Sequence, residues 1–204
     1  MLNLALLPAT EPGDKTFGEI PDRIGAHPRT SVLRVSYPTL VWYNKTVRDE
    51  AIAQIRAWGV TPVVLVGFSK SGLGAWNIAR MIPDLVSGTI IFDAPVARKR
   101  LPPWGTAPFY GDDRTWQDDL PICTTQEFAQ VMPHSHRLVL IAGAAFHEEM
   151  RALSQALLQI GCEHVFLDRW DTKHDWNSGW LEEGLSVLLE RTPAGDVLKA
   201  APEE

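Results

Sequence analysis

The sequence has 204 residues, of which 45% are hydrophobic and 22% are charged, and its formal net charge is −6. These values are typical of one globular domain and exclude a disordered chain or a coiled coil. The acidic balance argues against nucleic acid or an anionic membrane as the main partner. Two cysteines, Cys123 and Cys162, are too few for a disulfide scaffold or a four-thiolate zinc site. We expect both to be buried, reduced thiols.

Short apolar runs alternate with stretches of helical periodicity along the chain. The predicted strands are, in order, 2–7, 31–36, 63–66, 88–92, 137–142 and 164–167. The predicted helices are 47–58, closed by Gly59, then 72–81, 148–160 and 178–190. Strands that alternate with helices form parallel βαβ units. We therefore expect a three-layer α/β/α sandwich with a mostly parallel sheet of about six strands.

The apolar first residues, 1–9, favour a buried strand over a targeting segment. They contain no Lys or Arg, and the apolar stretch is short for a signal peptide. No apolar run in the sequence reaches the ~20 residues that a membrane-spanning helix needs. We expect a cytoplasmic protein with no membrane partner.

Residues 97–136 interrupt the alternation and are rich in Pro, Trp, Asp and Gly. Thr124 and Glu127 have the spacing of a capping box, which predicts a helix over 128–132. An insertion of this length is typical of a lid or a binding segment within one domain, here residues 1–204. The run 98–100 (Arg-Lys-Arg) is either a solvated face or a contact for an anionic substrate. The following aromatic residues either fill the core or line an acyl pocket: Trp104, Phe109, Tyr110, Trp116 and Trp176.

Segment 63–75 places Ser69 between a buried strand and a helix. A sharp turn of this kind holds its central residue in a strained conformation and exposes the side chain. The residues two before and two after must be small because they pass close together, and Gly67 and Ser71 satisfy this demand. The N-terminus of the following helix would also supply free N–H groups for a developing oxyanion. The pattern therefore predicts a nucleophile at Ser69.

Two other interpretations of this turn stay open. Gly67 and Gly72 have the spacing of a phosphate-binding P-loop, but Leu73 and Gly74 replace the Lys and the hydroxyl residue that such a loop needs. The second alternative is that the glycine-rich turn has a structural role only and carries no catalytic residue.

Over nearly its whole length, the chain resembles the α/β-hydrolase superfamily. Residues 67–72 resemble the serine nucleophile elbow of that superfamily. Asp-Ala-Pro at 93–95 and His-Asp-Trp-Asn-Ser-Gly-Trp at 174–180 are similar to a group of poorly characterised bacterial esterases. The resemblance implies a trimmed version of the fold, because the leading antiparallel strands are missing. It also departs after the first strand, where the family often has His-Gly and this chain has Pro-Ala-Thr at 8–10.

A serine hydroxyl is a weak nucleophile and needs a neighbouring general base. Of the six histidines, His174 follows the last predicted strand and precedes the last predicted helix. That is where this fold returns a base to the serine, so His174 is the predicted base. Asp171 and Asp175 flank it, but no second histidine accompanies them as a zinc ligand, and we expect no metal.

The acid that orients the base has alternative positions. Asp93 ends the predicted strand 88–92 and gives the chain order Ser, Asp, His that the superfamily shows. Glu148 and Glu149 lie closer to the strand end that the superfamily commonly uses, although acidic residues there also favour the first turn of a helix. Asp93 is the preferred prediction, and the two glutamates are the alternatives.

The resemblance implies a serine hydrolase, in the simplest case a carboxylic-ester hydrolase that forms an acyl-enzyme on Ser69. The backbone N–H of Lys70 and that of Ala9 or Thr10, with Thr10 preferred, would bind the oxyanion. The expected partner is a small-molecule ester, with no cofactor. A thioesterase, acyltransferase or peptidase would use the same residues, and a non-catalytic binding module could retain the scaffold.

Overall fold

The computed structural model describes residues 2–22, 30–39 and 41–190. The strands are β1 Leu2–Leu6, β2 Thr30–Arg34, β3 Val63–Phe68, β4 Val86–Phe92, β5 Arg137–Ala142 and β6 Val165–Asp168. The helices are α1 Lys45–Trp58, α2 Lys70–Met81, α3 Ala107–Tyr110, α4 Asp113–Asp119, α5 Thr125–Val131, α6 His147–Gln159 and α7 Trp180–Leu189. A 3₁₀ turn at Pro121–Cys123 lies between α4 and α5.

The six strands form one sheet in the order β2-β1-β3-β4-β5-β6, and every pair is parallel. The predicted α/β architecture and strand number are therefore confirmed. From β1 the chain moves outward to β2 and then crosses to β3 on the other side of β1. Ligands of open parallel sheets bind at such a switch point, outside the carboxyl ends of the strands. The loops after β1 and β3 meet there.

Side chains of the central strands alternate between two apolar clusters, one on each face of the sheet. Helices α1, α2 and α6 cover one face, and α7 packs on the other. Examples on the first face are Ala5, Leu65, Ile91 and Leu140, and examples on the second are Leu6, Val66, Ile90 and Ile141. Both faces of the sheet are thus buried, as expected for parallel strands.

Helix α1 illustrates how local signals set an element. The Asn44 side chain accepts a hydrogen bond from the backbone N–H of Val47 at 3.1 Å, which caps the first turn. Gly59 ends the helix with φ 70°, in the left-handed region that glycine adopts without a Cβ penalty. Among the helices of the described ranges, none is both long enough and apolar enough to cross a membrane.

The insertion packs as a helical layer over α1 and α2. Its own apolar cluster joins residues of the insertion to Trp42 and Leu73; the insertion residues are Tyr110, Trp116 and Leu120. Asp119 connects this layer to both helices, because its carboxylate pairs with Arg48 and its carbonyl accepts a hydrogen bond from Asn77 at 2.8 Å. These contacts fix the segment against the domain.

The capping-box prediction is wrong. Thr124 is the N-cap residue of α5, but its side chain does not cap the helix. Its hydroxyl accepts a hydrogen bond from the Trp76 indole at 3.0 Å and donates one to the Leu120 carbonyl at 3.1 Å. Glu127 forms an ion pair with Arg80. Both side chains therefore have tertiary partners, and the helix begins at residue 125 rather than 128.

The prediction that both cysteines are buried is also wrong. Both thiols are free, but Cys123 is exposed at the end of the 3₁₀ turn. Cys162 is half-buried, and that burial raises the pKa of its thiol.

Candidate active site

Ser69 forms a sharp connection between β3 and α2. Its φ of 53° and ψ of −131° are unusual for a residue with a Cβ, and it is the N-cap residue of α2. The backbone is held on both sides: the N–H of Ser69 donates to the Phe92 carbonyl at 3.0 Å, and the N–H of Gly72 donates to the Ser69 carbonyl at 2.9 Å. The strained turn predicted at this residue is therefore present.

Small residues permit the turn. A Cβ on Gly67 would lie 2.7 Å from the Gly72 Cα, and a Cβ on Gly72 would lie 2.6 Å from the Ala94 Cβ. The serine at position 71 has a further role, because its hydroxyl oxygen lies 2.8 Å from both the backbone N and the carbonyl O of Phe68. The Ser71 hydroxyl thus links the first turn of α2 to the end of β3.

Asp93 follows β4 directly and is fully buried, with a second strained backbone at φ 44°. Its carboxylate accepts hydrogen bonds from the backbone N–H of Phe146 at 2.7 Å and of Ala145 at 3.0 Å. A Cβ on Gly143 would lie 2.7 Å from the Asp93 Cγ, so glycine is needed at that position. The end of β5 therefore forms a tight site for this one carboxylate.

His174 lies in the loop between β6 and α7, and its Nδ1 is 2.7 Å from Oδ2 of Asp93. Because an ionised carboxylate only accepts hydrogen bonds, Nδ1 would be the donor in this pair, and in a neutral imidazole Nε2 would then be the acceptor. Three aromatic rings surround the imidazole, at centroid distances of 4.5 Å for Phe68, 5.0 Å for Phe17 and 5.5 Å for Phe146. The ring is thus held in one orientation.

The structure brings the His174 imidazole against Phe68, the residue immediately before Ser69. In the part of the chain that the structure describes, the half-buried Ser69 side chain makes no hydrogen bond to the imidazole. Catalytic hydrogen bonds are often long in proteins without substrate and shorten in the complex. Among these described residues, the His174–Asp93 hydrogen bond is therefore present and a Ser69–His174 hydrogen bond is not.

Neither glutamate of the alternative prediction contacts His174. Glu149 accepts hydrogen bonds from the backbone N–H of Ala97 at 3.0 Å and of Arg98 at 2.9 Å, at the start of the insertion. The Glu148 side chain is 84% exposed and lies against His147. Of the three candidate acids, the structure places only Asp93 beside the imidazole.

The loop after β1 is positioned by Tyr43, a fully buried residue that the sequence analysis missed. Its hydroxyl donates to the Pro8 carbonyl at 2.8 Å, and burial raises the pKa of the Tyr43 phenol well above its ordinary value. No local pattern indicates this contact, which spans 35 residues. Further along the loop, the Thr10 hydroxyl donates to the Asp14 carbonyl at 3.3 Å. Lys70 is the first residue of α2, so its N–H has no carbonyl partner within the helix.

The Lys70 side chain is a second feature that the sequence analysis missed. The residue is only 7% exposed, and its ammonium lies 5.8 Å from the centroid of the Trp42 ring. Burial lowers the pKa of Lys70 to about 8, although Glu11 and Asp14 oppose this shift. Within the described residues, the ammonium makes no hydrogen bond and no ion pair.

The predicted aromatic residues divide between core and site. Trp176 is buried in the core, and Trp116 is buried in the insertion cluster. Trp104 is 43% exposed and packs edge-on to Phe146 at 5.8 Å. Its carbonyl accepts a hydrogen bond from the Trp42 indole at 3.1 Å. Trp104 is thus the aromatic residue of the insertion that reaches the neighbourhood of His174.

Metal ligands are not grouped in the described ranges: there, no three or more His, Cys, Asp or Glu side chains are arranged to hold an ion. The side chains and backbone of the site offer a hydroxyl on a strained turn, an imidazole with one nitrogen oriented by a buried carboxylate, and free N–H groups at a helix start.

No protein-family model matches the chain, and no curated protein matches it in sequence. Solved structures do resemble it. MPT51 (FbpC1) of Mycobacterium tuberculosis is 14% identical with a TM-score of 0.67, over 90% of this chain and 86% of that one. A candidate esterase from Staphylococcus aureus is 13% identical with a TM-score of 0.57, over 92% and 73%. Dipeptidyl peptidase 4 of Porphyromonas gingivalis is 12% identical with a TM-score of 0.61, over 92% of this chain but 31% of that one. The chain has the α/β-hydrolase fold.

Proposed function

We propose that this α/β-hydrolase-fold chain is a serine hydrolase that cleaves small carboxylic esters through an acyl-enzyme on Ser69. The observation that carries the proposal is the 2.7 Å contact between His174 and the buried Asp93 carboxylate, next to a strained serine turn. Similar folds in a candidate esterase and in a dipeptidyl peptidase support an acyl hydrolase, and they leave the substrate to be established.

The proposed mechanism follows from the hydrogen bonds of His174, since Nδ1 is hydrogen-bonded to Asp93 and Nε2 has no such partner among the described residues. His174 Nε2 takes the proton of the Ser69 hydroxyl as the oxygen attacks the ester carbonyl, and later gives it to the leaving alcohol. Asp93 keeps the other proton on Nδ1 and stabilises the imidazolium that forms. Water then hydrolyses the acyl-enzyme by the same route.

The negative charge of the tetrahedral intermediate requires preorganised donors. The N–H of Lys70 is free of helical partners, and the N–H of Thr10 or Ala9 would complete the pair from the loop after β1. Tyr43 holds the start of that loop through the Pro8 carbonyl and so positions it. Loss of one donor of this kind lowers kcat by roughly two to three orders of magnitude.

The test is labelling of the native protein with a fluorophosphonate, together with turnover of p-nitrophenyl acetate. We expect both in the wild type and neither in Ser69→Ala. Ser87→Ala is the matched control, because Ser87 lies in β4 near its amino end, opposite the site, and should leave labelling intact. Labelling that survives in Ser69→Ala would contradict the proposed nucleophile.

A second candidate function is favoured by one observation, the lack of a Ser69–His174 hydrogen bond within the described residues. In that case the scaffold is a non-catalytic binding module, and the native protein would show neither labelling nor turnover. If labelling does occur, a panel of p-nitrophenyl esters, acyl thioesters and peptide anilides would separate esterase from thioesterase and peptidase chemistry. Transfer to added alcohols would identify an acyltransferase.

A further inference from the structure

We propose that the Lys70 ammonium binds a negatively charged group on the acyl part of the substrate, so that the site prefers esters whose acyl chain ends in a carboxylate. This inference rests on the proposed hydrolase function and names its substrate class. Half-esters of short dicarboxylic acids have the required chemistry.

Contacts connect the Lys70 side chain with the aromatic groups around the imidazole. A continuous series of contacts joins them: the ammonium packs over Trp42, and the Trp42 indole donates to the Trp104 carbonyl. The Trp104 ring packs against Phe146, which packs against His174. Lys70 follows Ser69 directly in the chain, so this series of contacts begins beside the serine and ends at the imidazole.

The charge of Lys70 lacks a partner where one is expected. Arg48, the other buried cation described, pairs with Asp119 and donates to the Tyr43 carbonyl at 2.8 Å. The Lys70 ammonium, in contrast, makes no hydrogen bond or ion pair within the described residues. Burying an unpaired charge costs free energy, and a ligand that brings the opposite charge would offset this cost.

The nearest carboxylates of the protein do not supply that charge. Glu11 and Asp14 lie in the loop after β1 and attract the ammonium from a distance, without forming an ion pair. The Asp14 carboxylate already accepts a hydrogen bond from the backbone N–H of Thr16 at 2.8 Å. Glu11 is exposed to solvent. The ammonium is therefore available to a substrate carboxylate.

The neighbouring surfaces suit the rest of such a substrate. The methylene groups that separate its carboxylate from its ester carbonyl would pass along the exposed ring of Trp104 and the half-buried ring of Phe146. Apolar walls with one placed polar group are typical of small-molecule sites. The proposal therefore predicts that one length of the acyl chain gives the highest kcat/KM.

The experiment compares matched esters: mono-p-nitrophenyl succinate, glutarate and adipate against neutral p-nitrophenyl esters of equal chain length. Spontaneous hydrolysis, which the neighbouring carboxylate accelerates, is subtracted. We expect the wild-type kcat/KM to be at least tenfold higher for the best anionic ester than for its neutral counterpart. A charge-assisted hydrogen bond can supply a preference of this size.

In Lys70→Met this anionic-to-neutral ratio should fall at least tenfold, whereas Lys70→Arg should keep most of it. Lys45→Met, which removes an exposed cation on α1, should leave the ratio unchanged. Lys70→Gln replaces Lys70→Met if the latter does not fold, as judged by circular dichroism.

The outcomes separate the two proposals. If Lys70→Met is labelled by fluorophosphonate and its ratio equals that of the wild type, the charge-recognition role is overturned and the serine hydrolase stands. If the wild type hydrolyses neither class of ester and is not labelled, both proposals fail together.

Discussion

Two residues of the site hold backbone conformations that cost free energy. Ser69 and Asp93 have φ values of 53° and 44°, and they directly follow two adjacent strands, β3 and β4. Positive φ at a residue with a Cβ costs about 1–3 kcal/mol and persists only where the surroundings enforce it. The close packing of Gly67 on Gly72 enforces the conformation of Ser69. The conformation of Asp93 is held by the hydrogen bonds that its carboxylate accepts from two backbone N–H groups.

At the residue scale, Asp93→Asn tests whether Asp93 is the orienting acid that we propose. The amide can donate to the imidazole where the carboxylate only accepts, so it favours the tautomer with its proton on Nε2, which cannot act as a base. We expect kcat for p-nitrophenyl acetate to fall by roughly three to four orders of magnitude. Glu148→Gln makes the same charge change at an exposed position and should retain activity. Normal turnover in Asp93→Asn would contradict the assignment.

Lys70 makes a separate prediction about stability. A folded-state pKa of about 8, below the ordinary 10.5, means that folding disfavours the ammonium. This penalty is fully present below pH 8 and disappears as pH rises to 10.5. Lys70→Met should therefore raise the Tm at pH 7 by a few degrees, with a smaller gain at pH 10.

Thermal melts at the two pH values measure this effect. Lys99→Met is the control, because Lys99 is exposed and its loss should change the Tm little. A Tm that falls in Lys70→Met at pH 7 would show that Glu11 and Asp14 compensate the buried charge after all.

At the scale of elements, α6 and the insertion are coupled through one side chain. Glu149 lies in the first turn of α6, and its Oε2 accepts hydrogen bonds from two backbone N–H groups at the start of the insertion. Its Oε1 accepts a hydrogen bond from the Arg98 guanidinium at 3.2 Å. The same guanidinium lies 5.0 Å from the Trp104 ring. The glutamate thus holds the part of the insertion that reaches the site.

Glu149→Gln should loosen this connection, because a neutral amide accepts hydrogen bonds more weakly than a carboxylate. We expect the amide hydrogens of Ala97 and Arg98 to exchange about tenfold faster, as measured by hydrogen–deuterium exchange. Glu148→Gln should leave their exchange unchanged, since that side chain is 84% exposed. Equal protection in both variants would mean that other contacts hold the insertion.

Strands and helices could be predicted from the sequence where a local residue pattern marks them. They could not be predicted where contacts with residues distant in the chain stabilise them. The central strands are continuous apolar runs, and Gly59 marks a helix end, so both followed from the sequence. Helices α3 and α4 have 4 and 7 residues and were not predicted, because their packing on Trp42 and Leu73 rather than an internal period stabilises them.

The same distinction applies to the candidate site. Ser69 lies in a local steric pattern, and His174 and Asp93 follow strand ends, so their approximate positions could be predicted from chain order. The unpaired ammonium of Lys70 and the anchoring hydroxyl of Tyr43 could not. Each depends on a contact with a residue far along the chain, Trp42 and Pro8 respectively.

In the whole molecule, an aromatic stack connects the second face of the sheet to the site. The Trp180 ring, in the first turn of α7, stacks on Phe92 at 4.7 Å and on Phe68 at 6.0 Å. These two residues end β4 and β3, immediately before Asp93 and Ser69. Trp180 also donates to the carbonyl of Asp175, the residue after His174, at 3.0 Å. One side chain thus supports the ends of both strands and the loop of the imidazole.

Trp180→Ala should therefore destabilise the whole fold and not only the site. Removing a large, fully buried aromatic side chain costs about 3–5 kcal/mol, a substantial share of the stability of an ordinary domain. Urea unfolding followed by circular dichroism measures this cost. Trp170→Ala is the matched control, because that side chain is 69% exposed and its loss should change the unfolding free energy by about 0.5 kcal/mol or less. If both variants unfold at the wild-type urea concentration, the stack is not a structural connection between the sheet and the site.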